Sequence, residues 1–172
     1  AGIVWSFTTK APTPPPQVTT PAPTNSATNV SITFQLSWAS MTDTASYDVY
    51  FGTDLAAIED ADTSSPEWQE TTAGLEFIIL TELDALTTYY WRIDEIEEDG
   101  TTYKGDIWNF TTPSLKAYNP TPAKGTKYVD PNIDLSWTRG FMAKALGGQD
   151  VYFGTDSTAV TNATTSNPLG VF

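Results

Sequence analysis

The sequence predicts an all-β fold, built from tandem β-sandwich modules joined by Pro-rich linkers. Three observations carry this. Apolar and polar residues alternate with period two through several short segments. No segment of useful length shows helical periodicity. The seven residues "DVYFGTD" are written twice, at 48–54 and at 150–156. A copy about one domain length away marks a repeated structural module rather than a solenoid unit or a catalytic motif.

The copy extends beyond those seven residues. "LSW" stands at 36–38 and again 99 residues later at 135–137. "DVYFGTD" recurs after 102 residues, so the preceding loop is three residues longer in the second copy. "VWSFTT" at 4–9 matches "IWNFTT" at 107–112, a spacing of 103. Residues 1–10 therefore read as the last strand of a preceding module. Residues 11–20 read as a Pro/Thr-rich linker, in which Pro14, Pro15 and Pro16 favour extended polyproline II. Residues 17–113 read as a complete module, and 117–172 as the N-terminal part of a further repeat. Opening and closing inside a module predicts a window onto a longer repetitive chain. The competing arrangement is exchange of the 1–10 strand between subunits.

Each strand of the middle module has its own pattern. Phe34, Leu36 and Trp38 alternate with Gln35 and Ser37. Tyr47, Val49 and Phe51 alternate with Asp48 and Tyr50, and Gly52 is expected to make the turn. Residues 54–62 suit one short helical turn, and residues 77–80 are an apolar run suited to a strand. Tyr89, Trp91 and Ile93 then share one face, with Tyr90, Arg92 and Asp94 on the other. Asp99-Gly100 signals a hairpin. Trp108 and Phe110 lie on the returning strand. The predicted core is Trp38, Tyr47, Val49, Phe51, Tyr89, Trp91, Ile93, Trp108 and Phe110, with Trp137, Val151 and Phe153 as its counterparts in the second copy.

The order Leu36-x-Trp38, Tyr47-x-Val49, Leu86-Thr87-x-Tyr89-x-Trp91-x-Ile93 resembles fibronectin type III domains. In that family a Leu, a Thr and a Tyr lead into strand F, and the Tyr makes a corner hydrogen bond. Tyr89 fits that place. "DVYFGT", "TTYYWRIDE" and the G-x-x-W-x-F-T-T run from Gly105 resemble the fibronectin-like and immunoglobulin-like repeats of large secreted bacterial surface proteins. The resemblance implies a sandwich and an extracellular spacer.

Composition narrows the chemistry. There is no Cys and no His, which removes thiolate metal sites and the commonest general base. No run of eighteen apolar residues exists, so no membrane span is expected. Net charge is −13, with the acidity concentrated in 17–113, where seventeen Asp and Glu face only Arg92 and Lys104. Residues 114–172 carry four acids against five bases. An acidic surface disfavours nucleic acid. No phosphate loop, nucleophile elbow or metalloprotease motif occurs.

The candidate sites are few. Asp94, Glu95, Glu97, Glu98 and Asp99 are the calcium candidates, weighed against a solvated hairpin tip. Alternation along the strand prevents all five from meeting one ion. No other cofactor is expected. Tyr50, Tyr90 and Tyr103 are expected to point outward, and Trp68 to lie in a loop or edge strand, where they suit glycan stacking or cover by a neighbour. Asn29, Asn109 and Asn162 head glycosylation triplets. The expectation is a non-enzymatic extracellular structural or adhesive protein of the stalk, surface-layer or filament type, whose partners are neighbouring repeats or copies of itself. The rival is an accessory spacer or weak glycan-binding module of a secreted carbohydrate-active enzyme.

Overall fold

The computed structural model describes residues 5–6, 18–40 and 46–167. Apart from Trp5 and Ser6, the expected strand at 1–10 lies outside the described residues, as does linker 11–17. Among the described residues the fold is all-β with two short helices, and the chain divides into two compact units, Ala1–Pro113 and Ser114–Phe172.

In the first unit the strands are β1 (Thr19–Ala22), β2 (Ala27–Thr28), β3 (Gln35–Ala39), β4 (Ser46–Gly52), β5 (Trp68–Thr72), β6 (Glu76–Ile78), β7 (Thr88–Ile96), β8 (Thr102–Tyr103) and β9 (Ile107–Thr111). Helix α1 (Leu55–Asp60) follows β4. One sheet runs β1-β3-β6, and the other runs β2-β9-β7-β4-β5 with β8 on β7. Every pairing is antiparallel except β2 with β9. Val18 is buried and β1 starts at Thr19, so the last residues of the expected linker are part of the folded unit.

Side chains of both sheets meet in one core. Leu36 and Trp38 come from β3, Tyr47 and Val49 from β4, Tyr89, Trp91 and Ile93 from β7, and Trp108 and Phe110 from β9. Each large side chain buried here contributes about 1.5–3 kcal/mol. Trp91 and Trp108 pack edge to face at 4.7 Å, a geometry aromatic quadrupoles favour. Phe51 is only half-buried and stacks on Tyr89 at 5.1 Å. Phe34 lies just outside β3 and is half-buried. The strand expected at 77–80 is shorter and shifted, because β6 pairs with β3 only through Glu76, Phe77 and Ile78. Gly52 does not turn the chain. It stays in β4 opposite Tyr90, where an added Cβ would meet Glu67 Cγ at 3.4 Å.

The second unit has β10 (Tyr118–Thr121), β11 (Ser136–Thr138) and α2 (Ser157–Asn162). Residues 113–125, "PSLKAYNPTPAKG", which read as a second, shorter spacer, therefore contain a strand. β10 pairs with β11 through Tyr118 with Thr138 and Thr121 with Ser136. β1 pairs with β3 through Thr19 with Ala39 and Ala22 with Ser37, the same register 99 residues earlier. Positive φ angles recur at that offset too, at Thr20 and Asn119, Ser26 and Gly125, Asn29 and Tyr128.

Three predicted core residues need correction. Trp137, Val151 and Phe153 are 36%, 43% and 66% exposed. Trp38 and Val49 are buried against β7 and β9, and no strand of the second unit among the described residues supplies that cover. Residues 150–153 form no strand for the same reason: a strand needs a partner ladder.

Candidate functional site

The outer face of the larger sheet is closed by α1. Asp54 caps this helix, its Oδ1 accepting from Ala56 N at 2.9 Å and Ala57 N at 3.2 Å. Ile58 and Ala61 then cover Tyr50, with Trp68, Tyr90 and Ile107 around them. Tyr50 is 3% exposed, contrary to its expected outward place on the surface. It does point away from the main core, but the helix buries it. Tyr90, Tyr103 and Trp68 are half-buried. The rings of Tyr50, Tyr90 and Trp68 are engaged in packing rather than presented as a stacking platform.

Arg92 holds the helix down. Its guanidinium donates to the carbonyls of Ile58, Glu59 and Ala61 at the helix C-terminus. It lies 4.2 Å over the Tyr50 ring and pairs with Asp94 through Nε–Oδ1 at 2.8 Å and Nη2–Oδ2 at 3.0 Å. Asp94 Oδ1 also accepts from Gly105 N at 3.0 Å. Asp48 stands opposite Asp94 in the ladder and takes Trp68 Nε1 at 3.3 Å and Thr71 Oγ1 as donors. Two buried carboxylates side by side are costly unless each has its own donors. Burial, then the Asp94 and Asp48 charges, push the Tyr50 hydroxyl up to about 12, with Arg92 opposing.

The calcium candidates are thus separated by the fold. Asp94 is committed to Arg92. Glu95 is buried on the opposite face, between Tyr47 and Tyr103 in the ladder. Glu97 is half-buried, and Glu98 and Asp99 are exposed. Asp99 Oδ1 accepts from Thr101 N at 2.8 Å, and that bond holds its carboxyl below the usual range. Among the described residues no group of three carboxylates is placed to hold a metal ion.

The remaining predicted positions are structural or exposed. Tyr89 Oη accepts from Asp84 N at 2.9 Å, a bond that ties the start of β7 to the preceding turn. Asn29 is exposed at a positive φ of 58°. Asn109 is half-buried in β9 and its Nδ2 donates to Asn25 Oδ1 at 3.3 Å. Asn162 is exposed at the end of α2.

Two features were not read from sequence. Between the edge strands β5 and β6 lies an open cavity of about 750 Å³, lined by Phe51, Phe77, Ile78 and Leu80 with Glu70 and Glu76. Ile78 and Leu80 are 59% and 92% exposed. In the second unit, residues 139–146 form a loop in which Phe141, Met142 and Leu146 are 46%, 65% and 91% exposed. Phe141 N donates to Ser114 O at 2.8 Å, and Gly140 is buried where a Cβ would overlap the Leu115 carbonyl. The loop showed in the sequence only as the three-residue insertion before the second "DVYFGTD" and in the basic charge of 114–172. No family model matches the chain, and no curated protein matches it.

Proposed function

We propose that the chain is a run of fibronectin type III-like sandwich modules acting as a non-enzymatic, extracellular structural or adhesive protein. The repeated local structure carries this reading. The β1–β3 register recurs in β10–β11 after 99 residues. The Asp54 cap of α1 recurs as the Asp156 cap of α2 after 102 residues, with Oδ1 accepting from Thr158 N at 2.8 Å and Ala159 N at 3.2 Å. A chain that repeats the local structures of a module reuses a scaffold, whereas one active site needs no second copy. The strand order β1-β3-β6 against β9-β7-β4-β5 supports the fibronectin-like reading, as does the Tyr89 bond. The rival glycan-binding accessory module would favour free aromatic faces, and Tyr50, Tyr90 and Trp68 are packed beneath or beside α1.

Single-molecule force extension tests the module. Pulling the chain from both ends should give one discrete event for residues 17–113, lengthening the tether by about 3.3–3.6 Å per residue released. Gradual extension with no discrete event would remove the module reading. Hydrolysis of a polysaccharide by the purified chain would remove the non-enzymatic one.

A further inference from the structure

We propose that the chain self-associates head to tail, the cavity between β5 and β6 of one copy receiving the 139–146 loop of a second copy. The proposal rests on the structural-protein reading above and names its partner.

The two surfaces match in chemistry. The receiving cavity is apolar along Phe51, Phe77, Ile78 and Leu80, with Glu70 and Glu76 on its wall. It belongs to a unit whose residues 17–113 hold seventeen acids and two bases. The incoming loop carries Phe141, Met142 and Leu146 between Arg139 and Lys144, and no acid lies in 139–146. Apolar anchors meet an apolar trough while cations meet carboxylates, which supplies both burial and steering.

The loop also differs between the repeats. Between "LSW" and "DVYFGTD" the first copy reads "ASMTDTASY", with Asp43 and no base. The second reads "TRGFMAKALGGQ", three residues longer, with two bases and no acid. A loop that changes in length and charge between two copies of the flanking motifs suits a recognition element. Its shape is fixed before binding: Gly140 sits against Leu115, and Ala143 N donates to Gly140 O at 3.0 Å. Holding the anchors in place lowers the ordering cost of association.

The receiving surface is the open edge of both sheets. Among the described residues neither β5 nor β6 has a further strand beside it. Such edges are ready to accept another chain unless covered. Because loop and cavity are different surfaces, the contact is heterologous, so each copy can both give a loop and receive one.

Sedimentation velocity of the 172-residue chain over a concentration series tests this, with Phe141→Asp as the loop variant and Ile78→Lys as the cavity variant. Both side chains are exposed, and Leu80→Lys serves as a second cavity variant should Ile78→Lys unfold. The wild type should form concentration-dependent oligomers that weaken at high salt, since the screening length falls from about 10 Å at 0.1 M to about 3 Å at 1 M. Either variant alone should associate roughly tenfold or more weakly. Mixing the two should restore a dimer that grows no further, because one variant keeps a working cavity and the other a working loop. A chain that stays monomeric overturns the proposal and leaves the module reading to its own force-extension test. Oligomers that survive Ile78→Lys and Leu80→Lys but not Phe141→Asp place the loop on another surface and also overturn it. So does loss of association on deleting residues 1–9, which would mark strand exchange instead.

Discussion

Arg92 joins four parts of the first unit: the α1 carbonyls, Tyr50, Asp94 and the β7 backbone on which it stands. It is 1% exposed, and its charge is balanced within one hydrogen-bonded network. Arg92→Met keeps much of the volume but leaves Asp94 buried and unpaired beside Asp48. Breaking a buried pair from one side costs about 3–5 kcal/mol. Urea unfolding should show a loss of that order, and adding Asp94→Asn should recover part of it. Equal stability of wild type and Arg92→Met would mean the network contributes nothing. Tyr50 gives this site a pH signature. Its hydroxyl is raised from 10.0 to about 12, so the folded state favours the neutral form. That contribution is complete below pH 10 and is lost as pH climbs from 10 through 12. Alkaline melts should therefore fall less steeply for Tyr50→Phe than for wild type over that window. Little of this was visible in the sequence. Alternation placed Tyr90, Arg92 and Asp94 on one face correctly, but it read that face as solvent-exposed. Nothing in a strand's own pattern reveals that the helix following β4 will fold back over it.

The same seven residues have two fates, which separates what is local from what is not. Residues 48–52 lie in β4, held between β5 and β7, whereas their copies at 150–154 form no strand. The final Asp behaves identically in both places. Asp54 and Asp156 each cap a six-residue helix, with φ and ψ of −109° and 116° against −103° and 110°. A cap needs only the backbone amides two and three residues on, so it survives without tertiary partners. A strand needs its neighbours. Period-two alternation therefore located β3, β4, β7 and β9, because their core faces are filled. The edge strands β1, β2 and β5 carry weak patterns. The cavity between β5 and β6 arises from the meeting of two edges distant in sequence, so no single segment announces it. Removing the cap gives the test at this scale. Asp54→Ala should destabilise the first unit by about 1 kcal/mol. It should also expose Tyr50, since α1 is the lid over that ring. A rise in tyrosine accessibility to chemical modification in Asp54→Ala, absent in Asp156→Ala, is the expected readout. An unchanged midpoint and unchanged accessibility would deny α1 its covering role.

Across the chain, burial is distributed as unevenly as charge. The first unit closes a core in which Leu36, Val49, Trp91, Ile93 and Phe110 are fully buried. The second shows Ile133, Leu135, Trp137, Val151 and Phe153 partly to water, and its only ladder among the described residues is the pair β10–β11. Sequence similarity alone implied equal cores, since "LSW" and "DVYFGTD" are identical in both copies. The difference comes from what stands opposite them: in the first unit Trp91 and Trp108 complete the cluster around Trp38. Two-stranded ladders are marginal in water, whereas amides at the centre of a five-strand path open only with the whole unit. Hydrogen exchange on the 172-residue chain should therefore separate the two. Amides of β4 and β7 should exchange slowest, at rates set by global unfolding. Those of β10 and β11 should exchange faster by about two orders of magnitude or more, the ratio expected for an opening roughly 3 kcal/mol cheaper. Self-association adds a second test on the same experiment. If the 139–146 loop docks in a second copy, raising the protein concentration should protect the amides of 139–146 and of β5 and β6 together, and leave β10–β11 unchanged. Uniform protection across both units at every concentration would contradict the uneven core and the docking contact alike.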